Sequence, residues 1–319
     1  MSGAESHVPT MTSTTGAALA LQGGGVHGAY AWGAVDRLIE DRLVIARVCG
    51  VSSGALLGTM LVQGFVRGGP AGARRQMKRL WDRIAQANVL SPMQNGPLER
   101  WLWGADLSNN LVWQGLETAL RLFSPAQINP FGHNPLRPVI SDLIDRDALT
   151  HRRAIPLTVA ATDVETGASV QWTNAEITID VLLASCCLPF VFHPVSVGGR
   201  RFWDGGYSGN PPLAPLLRPA PPDELVLVRA QAGYRAGAPT TPAEILNRLN
   251  EIACHGILEA ELRALPPSVR LTEIDAEAAL SSLPVSSKFN ADEAFLGKLF
   301  EAGRIAASLA RGSSRAAAD

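Results

Sequence analysis

The chain opens its ordered part with Ala17-Ala18-Leu19-Ala20-Leu21-Gln22-Gly23-Gly24-Gly25-Val26-His27-Gly28. It returns, one helix-length later, as Leu43-Val44-Ile45-Ala46-Arg47-Val48-Cys49-Gly50-Val51-Ser52-Ser53-Gly54. Ala17–Leu21 is a short apolar run closed by glycines, which predicts a buried strand. Tyr30, Ala31, Ala34, Val35, Leu38 and Ile39 then recur on one face of a helix. Residues 43–48 read as a second buried strand, and the apolar helix pattern after Gly54 runs through Leu61. Strand, glycine loop, helix, strand, tight turn, helix predicts two parallel strands joined by a right-handed crossover, the opening of an α/β fold.

Working outward, residues 70–150 are less regular. They hold four of the seven tryptophans (Trp81, Trp101, Trp103, Trp113) and prolines spaced from Pro92 to Pro138, so short helices are expected there. Leu157–Thr162 reads as a strand, Asp163–Gly167 as a turn and Ser169–Thr173 as the returning strand. Ile179–Cys186 reads as a helix. Val195–Val197 and Arg201–Trp203 flank Gly198-Gly199 as a hairpin that delivers Asp204-Gly205-Gly206. Leu225–Val228 is another buried strand, and two helical stretches, about 243–265 and 291–311, close the pattern.

Composition excludes several classes. Over 319 residues, 28 Lys+Arg against 29 Asp+Glu give a formal charge of −1, which argues against a general nucleic-acid binder. Hydrophobic content of 46% with 18% charged residues excludes wholesale disorder. No run of about 18 apolar residues could span a bilayer. Residues 1–16 are Ser/Thr-rich, lack the pattern of a secretory signal and read as a flexible tail, and residues 313–319 read as a C-terminal tail. Cys49, Cys186, Cys187 and Cys254 show no metal-ligand spacing, so no metal is expected, and reduced thiols fit a cytoplasmic protein.

Gly50-Val51-Ser52-Ser53-Gly54 is a GxSxG between a strand and a helix. There a serine sits on a sharp turn with its Oγ projecting above the sheet edge, and the glycines on either side remove clashing side chains. Ser53 is off the central position and is expected to point into the helix. The glycine loop also fits GxGxxG, which raises a dinucleotide site. That site needs an acid at the end of the second strand, where Val48-Cys49-Gly50 stands instead. The favoured alternative is an oxyanion hole built from backbone N–H groups of Gly23, Gly24 and Gly25.

A serine nucleophile needs a proton acceptor. Of the histidines after Ser52 (His133, His151, His193, His255), His193 before Pro194 is the best triad candidate. Asp204, at a strand end before two glycines and beside Trp203, is the stronger base, because partial desolvation raises a carboxylate's basicity.

Taken together, Gly23-Gly24-Gly25-Val26-His27-Gly28, Gly50-Val51-Ser52-Ser53-Gly54 and Asp204-Gly205-Gly206 resemble, in that order, the patatin-like phospholipases. The resemblance extends over Ala184-Ser185, Leu188-Pro189-Phe190, Phe192-His193-Pro194-Val195 and Asn210-Pro211, from about residue 17 to 310. It implies a three-layer α/β/α sandwich with a mostly parallel central sheet, as a single domain over 17–312. It also implies a Ser52–Asp204 dyad without histidine, an oxyanion hole at Gly23, Gly24 and Gly25, and supporting roles for His27, Gly28, Gly50, Gly54, Gly205 and Gly206. Val51 stands where Thr is common and His27 where Arg or Lys is frequent. An imidazolium at His27 would assist the oxyanion and make activity fall as pH rises through about 6.5.

The implied activity is hydrolysis of lipid acyl esters through an acyl-serine, with no cofactor and no metal, since no carboxylate-rich calcium loop is evident. The expected partner is a lipid or other acyl ester, met by peripheral membrane contact at the inner membrane surface or in the cytoplasm, and not nucleic acid. The alternatives are a soluble esterase or polyhydroxyalkanoate depolymerase with the same dyad, and a non-catalytic regulatory or interaction protein on this fold. Trp101, Trp103 and Trp113, with Leu102, Leu107, Leu111, Val112 and Leu116, form either a lid at a lipid-facing entrance or a cover over the sheet.

Overall fold

The structure, a computed structural model, describes residues 16–88 and 94–316; within these the side chains of residues 97, 98, 101 and 313–316 are not described. Of the two terminal tails expected from sequence, residues 1–15 and 317–319 lie outside the described residues, whereas residues 313–316 continue the last helix and are not a tail. In chain order the elements are β1 (Ala17–Leu21), α1 (Gly28–Glu40), β2 (Ile45–Gly50), α2 (Ser53–Asn88), α3 (Pro97–Trp103), α4 (Leu111–Leu122), α5 (Pro125–Ile128), α6 (Leu136–Leu143), α7 (Arg146–Leu149), β3 (Leu157–Asp163), β4 (Ser169–Thr173), α8 (Ile179–Ser185), β5 (Val195–Val197), β6 (Arg200–Asp204), β7 (Glu224–Val228), α9 (Pro242–Arg263), β8 (Arg270–Ile274), α10 (Glu277–Leu280) and α11 (Glu293–Ala316).

One sheet runs β5-β6-β3-β2-β1-β7-β8, with β4 also pairing β3. The pairs β1–β2, β1–β7, β2–β3 and β7–β8 are parallel; β3–β4, β3–β6 and β5–β6 are antiparallel. β1 and β7 are buried at every residue, as a parallel strand covered on both faces must be. Alternation divides the core. Leu19, Leu21, Val48, Val226 and Val228 pack with α1, α2 and α11, while Ala18, Ala20, Cys49, Leu225 and Leu227 pack with Leu258 of α9 and with Leu213 and Leu216. The sheet therefore lies between two helical layers.

Two expectations need correcting. Helices within 70–150 are not all short, because α2 reaches Asn88. Gly68 and Gly69 break its dihedrals, with Gly69 at φ +59°, and the winding resumes through Pro70. The strand β8 was not foreseen from the sequence.

The register of β3 positions the site. One edge of β3 is taken by β4, with Val159 opposite Trp172 and Ala161 opposite Val170. The other edge is shared. β2 occupies it up to Gly50, opposite Val159, and β6 enters from the opposite direction, bringing Asp204 opposite Ala161. Two residues of strand rise, about 7 Å, separate those ends. The turn that follows Gly50 and the carboxylate that ends β6 are thereby aimed at one another.

Candidate active site

Ser52 follows β2 and precedes α2, with φ at +54°, a left-handed backbone that a serine adopts only under local constraint. The constraint is close packing. A Cβ on Gly54 would lie 2.3 Å from the Leu21 carbonyl oxygen, and one on Gly50 would lie 2.4 Å from the Gly54 carbonyl oxygen, so neither position accepts a side chain. The Ser52 N–H donates to Ser185 Oγ at 3.0 Å, and Ser185 Oγ donates to the Ala160 carbonyl at 2.7 Å, which ties the turn to β3. Ser52 keeps 9% exposure.

Asp204 is buried. Its N–H donates to the Cys187 carbonyl at 2.7 Å, its carbonyl accepts from Thr162 Oγ1 at 2.8 Å, and its Oδ1 accepts the Gly206 N–H at 2.9 Å. Oδ2 is buried with no hydrogen-bond partner. Burial pushes the Asp204 carboxyl up to about 6, against the opposing pull of the Gly206 N–H and the Ser52 hydroxyl. The serine is thus near enough to bias the carboxylate's ionisation without making a close bond to Oδ2.

Other groups surround Asp204. Burial first, then the Asp204 charge, raise the thiols of Cys186, Cys187 and Cys254, the last two to about 12. These thiols stay protonated and do not compete as nucleophiles. All four cysteines are free and buried.

The glycine loop differs from expectation. The Gly23 N–H donates to Asn210 Oδ1 at 2.8 Å and the Gly24 N–H to Ser53 Oγ at 3.1 Å, so both are committed inside the protein. For the Gly25 N–H, at φ +61°, no acceptor is found among the described residues. Ser53 accordingly points at the glycine loop and not into its helix. Gly28 begins α1, and Gly205 and Gly206 form the turn after Asp204.

His27 is also corrected. It is 1% exposed and its Nε2 bonds Ser287 Oγ at 2.9 Å. Burial, then the charges of Lys288 and Arg235, outweigh Glu251 and lower it to about 3. The imidazole is neutral at physiological pH and brings no positive charge to the loop. Lys288 reaches the same region through its backbone: a Cβ on Gly25 would lie 3.0 Å from its carbonyl oxygen. Its ammonium is paired with Glu251 at 2.9 Å.

His193 is no triad member here, because its Nε2 bonds the Asn129 carbonyl at 2.7 Å. His151 Nδ1 accepts the Arg153 N–H at 3.2 Å, and His255 faces Arg229. A cavity of about 270 Å³ is lined by His133, Arg137, Asp180 and His193, among others, but by neither Ser52 nor Asp204. Trp113 is buried with its ring centroid 5.1 Å from that of Phe289, which makes it cover, whereas Trp103 is exposed; the Trp101 side chain lies outside the described residues. Leu107 is buried, while Leu102, Leu111 and Val112 are exposed.

Sequence reasoning gave no role to Asn210, Ser185 or Gln231. Asn210-Pro211 and Ala184-Ser185 carried part of the resemblance, and that was the available signal. Among the described residues no three His, Cys, Asp or Glu side chains converge as a metal site, and no helix is long and apolar enough to cross a membrane.

Among solved structures, VipD from Legionella pneumophila is 12% identical with a TM-score of 0.40, over 93% of this chain and 67% of that one. Human GIVD cytosolic phospholipase A2, in complex with methyl gamma-linolenyl fluorophosphonate, is 10% identical with a TM-score of 0.48, over 94% of this chain and 58% of that one. ExoU of Pseudomonas aeruginosa, in complex with SpcU, is 18% identical with a TM-score of 0.31, over 92% of this chain and 53% of that one. The chain therefore spans between 53% and 67% of the length of these three. A search among curated proteins finds no match. Residues 19–217, more than half of the sequence, match the family described as Patatin-like phospholipase; the chain belongs to the patatin-like phospholipase family.

Proposed function

We propose that the protein is a serine hydrolase that cleaves acyl esters of lipids, with Ser52 as nucleophile and Asp204 as general base. The observation that carries this reading is the pairing, along one edge of β3, of a strained serine turn with a buried carboxylate whose Oδ2 has no partner. A carboxylate raised to about 6 is ionised at neutral pH yet basic enough to take a proton in a transition state.

In the first step Asp204 Oδ2 takes the hydroxyl proton as Ser52 Oγ bonds to the ester carbonyl carbon. The carbonyl oxygen becomes an oxyanion and is held by the Gly25 N–H. Collapse breaks the bond to the leaving alcohol, which receives the proton from Asp204, and an acyl-serine remains. Water then gives a proton to Asp204 and adds to the acyl carbon. Collapse of the second intermediate returns that proton to Ser52 Oγ and releases the fatty acid. Catalytic hydrogen bonds of this kind commonly tighten only with substrate in place. The site works from the cytoplasmic side, with the lipid reached by peripheral contact.

The test is covalent labelling with a fluorophosphonate probe, followed by a panel of phospholipids, lysophospholipids, short p-nitrophenyl esters and poly-3-hydroxybutyrate with released acids measured by mass spectrometry. Labelling at Ser52, lost in Ser52→Ala, with fatty acid release from the lipids, is expected. An unlabelled Ser52 would overturn the reading, and release from the polyester alone would replace lipid with storage polymer.

A further inference from the structure

The two glycine N–H groups that are not free are held by side chains from distant places. Asn210 lies 187 positions from Gly23, yet it accepts that N–H at 2.8 Å through Oδ1 and returns a bond from Nδ2 to the Gly23 carbonyl at 3.4 Å. Gln231 Nε2 donates to the same carbonyl at 2.8 Å. A primary amide is the side chain that presents an acceptor and a donor from one plane, and so can grip both polar groups of a single residue. Asn210 is 1% exposed and Ser53 is 6% exposed, so these contacts face protein and not solvent.

Gly23 is also wedged. A Cβ there would lie 2.7 Å from Ser52 Cβ and 3.3 Å from Asn210 Oδ1. The loop thus lies against the serine and is held there by Asn210, which bonds the same glycine. Asn210 itself adjoins the base, because a Cβ on Gly206 would lie 3.7 Å from Asn210 Cγ and 3.2 Å from Asp204 Oδ1. Ser53 fastens the next amide from the first turn of α2, directly after the nucleophile.

We infer that Asn210 and Ser53 are positioning residues for the hydrolysis proposed above: by occupying the N–H groups of Gly23 and Gly24 they fix the loop against Ser52 and leave the Gly25 N–H to bind the acyl oxyanion. Neither touches the substrate. Their effect passes through the loop, where a displacement of about 1 Å can cost roughly 10²-fold in rate. The inference rests on Ser52 being the nucleophile.

The experiment uses the full chain as wild type, Asn210→Ala and Ser53→Ala. It measures kcat and KM on p-nitrophenyl butyrate, the second-order rate of fluorophosphonate labelling, and folding by circular dichroism. In the folded variants kcat and the labelling rate are expected to fall together by about 10- to 100-fold, with KM within about threefold of wild type. A role in packing alone would not split kcat from KM in this way. If Asn210→Ala does not fold, Ser53→Ala decides, since alanine is well accepted in a first helical turn. Folded variants with wild-type rates, or a loss confined to KM, overturn the inference while wild-type labelling at Ser52 leaves the esterase reading standing. Absence of label on wild-type Ser52 overturns both.

Discussion

Gly50 and Asp204 share one edge of β3, opposite Val159 and Ala161, at the ends of two strands that run toward each other. No covalent or side-chain link is needed to bring the serine turn and the carboxylate together, because the ladder of β3 sets their separation. Bonds outside the ladder hold Asp204 buried with only one carboxylate oxygen satisfied: its N–H donates to the Cys187 carbonyl and its carbonyl accepts from Thr162 Oγ1, which fixes its backbone.

That burial has a cost that can be read out. The native carboxyl titrates at about 6 against an ordinary value of 3.8, so the folded protein binds this proton more tightly than the unfolded chain does. The associated stability is fully present below about pH 4 and is lost as pH rises through about 6. Asp204→Asn removes the buried charge. It should eliminate turnover yet raise stability at pH 8 by on the order of 2 to 3 kcal/mol, the two-unit shift converted. Thermal melts at pH 8 and pH 4 check this. A variant that melts below wild type at pH 8, or an advantage that does not shrink at pH 4, contradicts the burial account.

The same titration governs the rate. With Asp204 as base, kcat/KM should climb about tenfold per pH unit below pH 6 and level off above it. His27 is neutral throughout that range, and the thiols of Cys187 and Cys254 do not ionise until about pH 12. No descending limb near pH 6.5 is therefore expected, and the midpoint in His27→Gln should coincide with that of wild type. A profile that falls between pH 6 and 7, and loses that fall in His27→Gln, would restore a charged imidazole.

Much of this fold was legible. β1 falls at the residues that its apolar run marks, β4 at those read as the strand returning from the Asp163–Gly167 turn, and Ser52 and Asp204 stand at the strand ends that the glycines flag. β2 begins at Ile45, two residues late, because the Leu43 N–H closes α1 on the Leu38 carbonyl and Val44 is exposed. β8 escaped because Arg270-Leu271-Thr272-Glu273-Ile274 is an edge strand whose exposed residues break the apolar run that marks a buried one. The state of His27 and the use of the Gly23 N–H were illegible for a different reason. The first is set by burial and then by the charges of Lys288 and Arg235, the second by Asn210; all come from residues remote in sequence, and no local pattern reports what distant residues will desolvate or occupy.

The glycine at 54 should tolerate nothing larger. An alanine Cβ would lie 2.3 Å from the Leu21 carbonyl oxygen and 2.9 Å from that of Gln22, both backbone atoms that cannot rotate away. Gly54→Ala is expected to cost about 3 kcal/mol or more, at or beyond the upper end for an overpacked core, and to lower activity by moving the glycine loop. Gly115, within α4, has open space around it, so Gly115→Ala should be neutral or stabilising by about 0.5–1 kcal/mol. Urea titrations of the two variants separate them; equal midpoints would show that the approach of α2 to β1 is looser than these distances require.

α4 supplies a last case. Its described side chains are exposed or half-exposed apart from Trp113, which packs on Phe289, while Leu111 and Leu122 are 81% and 70% exposed. Asn110 Oδ1 caps the helix by accepting the Trp113 N–H at 3.0 Å, so cap and anchor meet at one residue. Trp113→Ala should therefore release α4 locally without unfolding the sheet, because few buried contacts hold this helix. Hydrogen exchange is the measurement: amides of residues 111–122 should exchange at least about tenfold faster while those of β1 and β2 keep their wild-type rates. Phe289 adjoins Lys288, whose carbonyl backs Gly25, so a modest loss of kcat on short soluble esters should accompany the opening. Uniformly faster exchange across α4 and the strands alike would instead make Trp113 part of the global core.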